Sequence, residues 1–211
     1  MHLARRAWCR TYQTVFRIAL PILPYTEPRI LEHAEDVPAV LQKRSIQKVL
    51  IVTDPGIARL GLTASLERAL TAQGIGVTVY AETSANPTVS NVEEAASLYR
   101  ASACQAIIGF GGGSAMDCAK GVGARIAQPN KPINKMRGLL RVHRLLPLLI
   151  AVPTTAGTGS EVTLAAVITD DETHYKYPIN DFVLIRASRC TTPSLRAACP
   201  LPLRGRRAWT P

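Results

Sequence analysis

The segment best suited to bind a ligand is Ile107–Lys120, IIGFGGGSAMDCAK, in which an apolar run leads into three glycines and then into a helical pattern. Glycines let the backbone approach an anion closely, because no Cβ intervenes. The first turn of a helix offers unpaired N–H groups and the positive end of the helix dipole, which stabilise a phosphate. The spacing is not G-x-G-x-x-G, and no Gly-Lys-Ser/Thr follows as in a P-loop. A cap formed by Ser114 and Asp117 explains the same residues without a ligand.

Two further segments follow apolar runs in the same way. Pro153–Glu161, PTTAGTGSE, comes after Leu148–Val152 and could line a phosphate or an amide, or form a capped turn. Asp54 ends the run Lys48–Thr53. A carboxylate there can bind a ribose 2′-OH and would repel a 2′-phosphate, which favours NAD over NADP; an Asp-Pro-Gly turn is the alternative. If these runs are parallel strands, all three turns emerge at one carboxyl edge, where α/β proteins bind ligands.

The elements that must position these turns alternate between strand and helix patterns from Ser45 onward, which predicts an α/β fold with a parallel sheet and helical crossovers. Ser90 with Glu93 forms a capping-box pattern that predicts the start of a helix. Pro129–Arg144 is polar and basic, which predicts an exposed excursion. The predicted strands are Lys48–Thr53, Gly76–Tyr80, Gln105–Phe110, Leu148–Val152 and Val162–Thr169, with Lys176–Ile185 as a hairpin partner or extended segment. The predicted helices span Ser65–Gln73, 90–101 and 114–127.

Composition and charge exclude several classes of protein. The chain has 211 residues, 47% hydrophobic and 19% charged, which excludes collagen, a coiled coil and a disulfide-dense mini-protein. Its net charge of +10 includes six arginines and no acid in residues 186–211, so residues 1–185 carry +4. The five cysteines and four histidines show no metal-ligand spacing. The sequence contains no apolar stretch of about 20 residues, so it predicts no membrane span.

The first 25 residues allow more than one interpretation. Four arginines and no acid precede Glu27, as in a transit peptide or a membrane-surface helix. Pro21 and Pro24 close the segment, and no small-residue cleavage site follows. We therefore predict a basic helix packed on the domain and a cytoplasmic protein.

Five motifs in order resemble the iron-containing (group III) alcohol dehydrogenase family. They are V-T-D at 52–54, N-P-T at 86–88, G-G-G-S-x-x-D-x-A-K at 111–120, P-T-T-A-G-T-G-S-E at 153–161, and V-I-T-D at 167–170 with Lys176. The resemblance runs from about Tyr25 to Ile185. It implies a Rossmann-like N-terminal domain of the dehydroquinate synthase-like kind, and NAD-dependent interconversion of an alcohol with an aldehyde or ketone.

Position by position, the resemblance implies a set of NAD contacts. Asp54 would face the adenosine ribose with Asn86 near it, and the phosphates and nicotinamide ribose would lie along the two glycine-rich turns. Val167 and Lys176 would complete the pocket. The residues of the two turns are Gly112, Gly113, Ser114, Ala115, Met116 and Asp117, and Thr154, Thr155, Ala156, Gly157 and Thr158.

In this family an all-helical second domain carries one Asp and three His that hold iron or another divalent metal, which polarises the alcohol oxygen. Those ligands are absent from this sequence, so no metal ligand and no catalytic residue is assigned. Residues 186–211 contain arginine but no lysine or acid and look like a frameshifted reading of GC-rich coding sequence. The predicted domains are a basic lead-in (1–44), a dinucleotide-binding domain (45–185) and a disordered tail (186–211).

The resulting expectation is a truncated, NAD-binding form of an alcohol dehydrogenase, inactive alone, whose intact relatives act on a small alcohol or aldehyde. The sequence leaves open whether the chain forms a homo-oligomer, and no nucleic acid or membrane partner is expected. The alternatives are a non-catalytic NAD-binding module and a basic nucleic-acid-binding protein. DNA binding that is salt-sensitive and needs residues 186–211 would support the second alternative.

Overall fold

The structure, a computed structural model, describes residues 10, 14, 30, 31, 33–155, 159–185 and 187–190, the last four as backbone only. Its strands are β1 (Ile30–Leu31), β2 (Lys48–Val52), β3 (Gly76–Tyr80), β4 (Ala106–Gly111), β5 (Gly138–Leu139), β6 (Leu148–Pro153), β7 (Ala165–Thr169), β8 (Lys176–Asn180) and β9 (Ala187–Cys190). Its α-helices are α1 (Val37–Gln42), α2 (Pro55–Arg59), α3 (Ala64–Ala72), α4 (Val89–Ala101) and α5 (Gly113–Ala127). Short 3₁₀ helices cover Ala34–Asp36, Ile133–Met136, Ser160–Val162 and Phe182–Ile185.

Six strands form a parallel sheet in the order β1-β9-β6-β4-β2-β3. The three central strands β2, β4 and β6 are continuous runs of buried apolar residues, as expected for a parallel sheet covered on both faces. A smaller sheet, in the order β5-β8-β7, pairs β7 and β8 as an antiparallel hairpin. The predicted α/β fold with helical crossovers is confirmed.

Each face of the large sheet has its own apolar core, because successive strand residues point to opposite sides. Val49 and Ile51 of β2 pack with Leu66 and Leu70 of α3 on one face. On the other face, Leu50 and Val52 share a core with α4, α5 and the small sheet. The helix α5 therefore lies directly on the central strands, with its first turn at their carboxyl ends.

The structure corrects one local prediction, the N-cap of helix α4. Helix α4 is capped by Thr88 and not by Ser90: the Thr88 hydroxyl accepts from the Asn91 N–H, and Asn91 bonds back to the Thr88 N–H. The Ser114–Asp117 cap, which the sequence offered as an alternative to an anion site, is absent, because Gly112 is the N-cap of α5. The predicted exposed excursion 129–144 is confirmed for most of its residues, while its apolar residues Ile133, Met136 and Val142 are buried and anchor it to the core.

The prediction that residues 186–211 form a disordered tail is wrong for residues 187–190. Residues 187–190 form β9, which lies between β6 and β1 and pairs with Leu149–Ala151 on one side. A strand of this kind is held by backbone hydrogen bonds to its neighbours, which do not depend on an apolar pattern in its own residues. Residues 186 and 191–211 lie outside the described residues, as does most of the predicted N-terminal helix.

Among the described residues, no helix is long and apolar enough to cross a membrane.

Candidate functional site

Three of the predicted segments meet at the carboxyl end of β4. The Thr154 N–H donates to the Gly111 carbonyl over 2.9 Å, which holds the turn after β6 against the turn after β4. A Cβ placed on Gly112 would lie 3.5 Å from the Thr155 hydroxyl oxygen, and one placed on Gly111 would lie 3.3 Å from an Asp54 carboxylate oxygen. Asp54, Gly111, Gly112, Thr154 and Thr155 therefore surround one point at the edge of the sheet.

The turn between β4 and α5 requires glycine at its first position. Gly111 has φ +144°, a conformation that residues with a side chain rarely adopt, and an added Cβ would lie 3.0 Å from the Ala115 Cβ. Gly112 is the N-cap of the 15-residue helix α5 and has no side chain to accept the N–H groups of the first turn. Among the described residues no side chain caps this helix, so its first N–H groups are available to an anion.

The predicted site residues on α5 contribute in two different ways. Ala115 and Met116 are buried, 1% and 3% exposed, so their side chains pack in the core and only their backbone can face a ligand. The Ser114 hydroxyl donates to the Ala85 carbonyl and ties the loop after β3 to this turn. Asp117 accepts from the Val167 N–H over 3.1 Å, and burial raises the pKa of its carboxyl group.

Asp54 is the N-cap of α2, with one carboxylate oxygen accepting from the Ile57 N–H over 2.9 Å. The Asp-Pro-Gly segment, which the sequence offered as a turn, is therefore the start of a helix. The other carboxylate oxygen lies beside Gly111. Asp54 thus combines a structural cap with a position at the site.

Asn86 and Lys176 form a second group of predicted residues. The Lys176 ammonium donates to the Asn86 side-chain oxygen over 2.8 Å, across 90 residues of sequence. The same loop and hairpin are joined by a bond of 2.8 Å from the Thr169 N–H to the Pro87 carbonyl. Val167 lies on this hairpin and is 39% exposed. Ala156, Gly157 and Thr158 lie outside the described residues.

Sequence reasoning missed the role of Lys120, which it quoted only as the end of a motif. The residue is 2% exposed, and its ammonium contacts four oxygen atoms of residues 160–165. A lysine inside the apolar stretch Cys118–Ala124 was the available signal, because a buried charge needs partners.

Within the described part of the chain, no group of three or more His, Cys, Asp or Glu side chains is arranged to hold a metal ion. The site built by the described residues is thus an edge of backbone N–H groups, hydroxyls and one carboxylate, suited to a phosphate and a ribose.

Comparisons with known proteins show the family and the fold of this chain. A family model described as iron-containing alcohol dehydrogenase matches residues 30–186. A choline dehydrogenase of Bacillus subtilis (strain 168) is 34% identical over 157 residues, which are 74% of this chain and 39% of that protein. The fold matches an alcohol dehydrogenase from Oenococcus oeni with a TM-score of 0.79 and 32% identity, covering 86% of this chain and 49% of the other.

A third similar protein was solved with a cofactor. It is a sulfoacetaldehyde reductase from Bifidobacterium kashiwanohense in complex with NAD+, with a TM-score of 0.72 and 27% identity, and the match covers 86% of this chain and 49% of the other. This chain spans between 39% and 49% of the length of these three proteins.

Proposed function

The chain belongs to the family of iron-containing alcohol dehydrogenases, and from this we propose that it binds NAD as the nucleotide-binding half of an oxidoreductase that interconverts an alcohol with an aldehyde or ketone. The observation that carries the proposal is the open N-terminus of α5, which begins at a glycine N-cap beside Thr154, Thr155 and Asp54. The solved NAD+ complex of a similar protein supports NAD as the ligand.

The described residues fit NAD at this edge. Gly112 and Gly113 leave the first turn of α5 free of side chains on the N-cap side, so the N–H groups there would bind the pyrophosphate. Asp54 would accept from the adenosine ribose with the carboxylate oxygen that does not cap α2. Thr53 follows β2 and has a buried hydroxyl for which the described residues provide no partner. This edge therefore offers a further hydroxyl group that could hydrogen-bond to a ligand.

The remaining contacts would orient the nicotinamide end. Thr154 to Thr158 would lie along the phosphates and the nicotinamide ribose, and Val167 and Lys176 would close the pocket from the hairpin side. Lys176 is already held by Asn86, so its ammonium has a fixed direction before the cofactor binds. When bound, the nicotinamide ring supplies the hydride acceptor for the alcohol carbon.

The metal of this family has no place among the described residues, since they hold no suitable group of ligands. The resemblance places those ligands in a helical domain. We propose that the 211-residue polypeptide binds NAD without turning over an alcohol.

The test is a fluorescence titration of the purified chain with NADH, together with a turnover assay on short-chain alcohols. We expect saturable NADH binding without turnover. The variant Gly112→Ala should weaken the binding, because its methyl group fills the space between the two glycine-rich turns. The fold should tolerate that methyl group, because the nearest atom is 3.5 Å away. Absence of NADH binding by the folded wild-type chain would overturn the proposed function, and turnover would overturn the claim of inactivity.

A further inference from the structure

Lys120 is a buried ionisable group that the proposed function leaves unused. Its ammonium donates to the carbonyls of Ser160 and Thr163 over 2.6 Å each and to that of Ala165 over 3.0 Å. The Thr163 hydroxyl oxygen lies 3.1 Å away. An ammonium has three N–H donors, so every proton of Lys120 has an oxygen acceptor in this cluster.

These contacts join two parts of the candidate site. Lys120 lies on α5, the helix whose first turn would bind the pyrophosphate. Its acceptors lie directly after the segment 154–159, which begins at Thr154. The other end of that segment is held by the bond from the Thr154 N–H to the Gly111 carbonyl, at the start of the same strand-to-helix turn. Thr154 and residues 160–165 are thus both bonded to the β4–α5 unit.

We propose that Lys120 is a positioning residue for NAD, whose ammonium fixes residues 160–165 and the start of β7 to the helix that receives the pyrophosphate. The inference rests on the proposed function. Residues 160–165 lead into β7, on which Val167 would close the NAD pocket. Without the ammonium, residues 160–165 must be ordered when the cofactor binds, and ordering about one further residue lowers affinity by about tenfold.

The charge of Lys120 matters for this role. A neutral amine has two N–H donors and would turn a lone pair toward a carbonyl oxygen, which weakens the attachment. The charged groups that face the ammonium are Asp117 on α5 and Glu161 in the 3₁₀ helix, and both favour the charged form. Burial has the larger effect and lowers the pKa of Lys120 from 10.5 to about 8.

Because of this pKa, a positioning role of Lys120 and its contribution to stability predict pH dependences of opposite sign. The folded-state value lies below the unfolded value, so the unfolded chain binds more protons between pH 8 and 10.5. The contribution of Lys120 to the free energy of unfolding therefore rises with pH across that range. The affinity for NADH should instead fall above pH 8, as the ammonium loses its proton.

The experiment compares Lys120→Met with Arg125→Met. Arg125 is a cation on the same helix, paired with Glu93 over 2.6 Å, and it has no contact with residues 160–165 among the described bonds. We expect Lys120→Met to weaken NADH binding at neutral pH by about tenfold. Arg125→Met should lower the urea midpoint while it leaves NADH affinity within about twofold of wild type. Equal NADH affinities in the two variants would overturn the inference.

A second measurement needs no substitution and decides the matter if Lys120→Met does not fold. The NADH affinity and the urea midpoint of the wild-type chain are measured from about pH 6.5 to about pH 9.5. A falling affinity above pH 8 supports the inference, and a flat profile, or one that rises with stability, overturns it. A folded Lys120→Met variant should show no such fall. If wild type binds no NADH at any pH, the proposed function itself fails.

Discussion

Replacing Gly111 by alanine tests whether the turn that presents the N-terminus of α5 can exist with any other residue. The backbone angle φ is +144°, and the new Cβ would lie 3.0 Å from the Ala115 Cβ and 3.3 Å from an Asp54 oxygen. The backbone strain costs about 1–3 kcal/mol, and crowding in a packed site costs about 1–3 kcal/mol. We expect the free energy of unfolding to fall by about 3 kcal/mol.

Urea denaturation followed by circular dichroism measures this loss. With a slope of about 2 kcal/mol per M, the urea midpoint should fall by about 1.5 M. Gly61→Ala is the matched control for strain, because Gly61 has φ +62° but nothing lies within 4 Å of the added Cβ; it should cost only about 1 kcal/mol. Gly112→Ala controls for the position in the turn and should cost less than about 1 kcal/mol. The reasoning is refuted if Gly111→Ala has the same midpoint as Gly61→Ala.

Two further predictions concern the cap of α2 and the buried thiols. Asp54→Ser keeps an N-cap oxygen but loses the carboxylate, so the free energy of unfolding should stay within about 0.5 kcal/mol of wild type. The preference for NADH over NADPH, measured by fluorescence titration, should become weaker. An unchanged preference would show that Asp54 does not face the ribose. Cys104 and Cys118 are buried, and burial raises the pKa of both thiols, that of Cys118 to about 12. Both should resist iodoacetamide in the native chain and react in urea, as followed by peptide mass spectrometry, and rapid native labelling of Cys118 would contradict the burial.

The sequence predicts elements well where the local pattern also decides the structure. Strand β3 has the predicted bounds Gly76–Tyr80, because a short β-branched run follows glycines that end the preceding helix. The start of α4 is mispredicted because Ser90 with Glu93 and Thr88 with Asn91 are both plausible capping pairs. The structure uses Thr88, since Asn91 also accepts from the Ser84 N–H and donates to the Glu82 carbonyl. These partners lie outside any local pattern.

The same distinction applies to the candidate site: the local sequence predicts one part of it and not the other. The turns at Asp54, Gly111 and Thr154 could be placed together from the sequence, because parallel strands bring their carboxyl ends to one edge. The anchoring by Lys120 could not, because its acceptors are mainly backbone carbonyls, which carry no residue-specific signal. Strand β9 was missed for the same reason, since its pairing with β6 is made by the backbone.

The small sheet determines the geometry of the candidate site although it adds few residues to it. Its hairpin is bonded to α5 through Asp117 and Val167, to the loop after β3 through Lys176 and Asn86, and to Lys120 through the Ala165 carbonyl at the start of β7. Each bond joins a site segment to an element that is distant in sequence. The hairpin is itself held by a fully buried core residue, Ile168. Loss of packing in that core would therefore loosen three parts of the proposed NAD site at once.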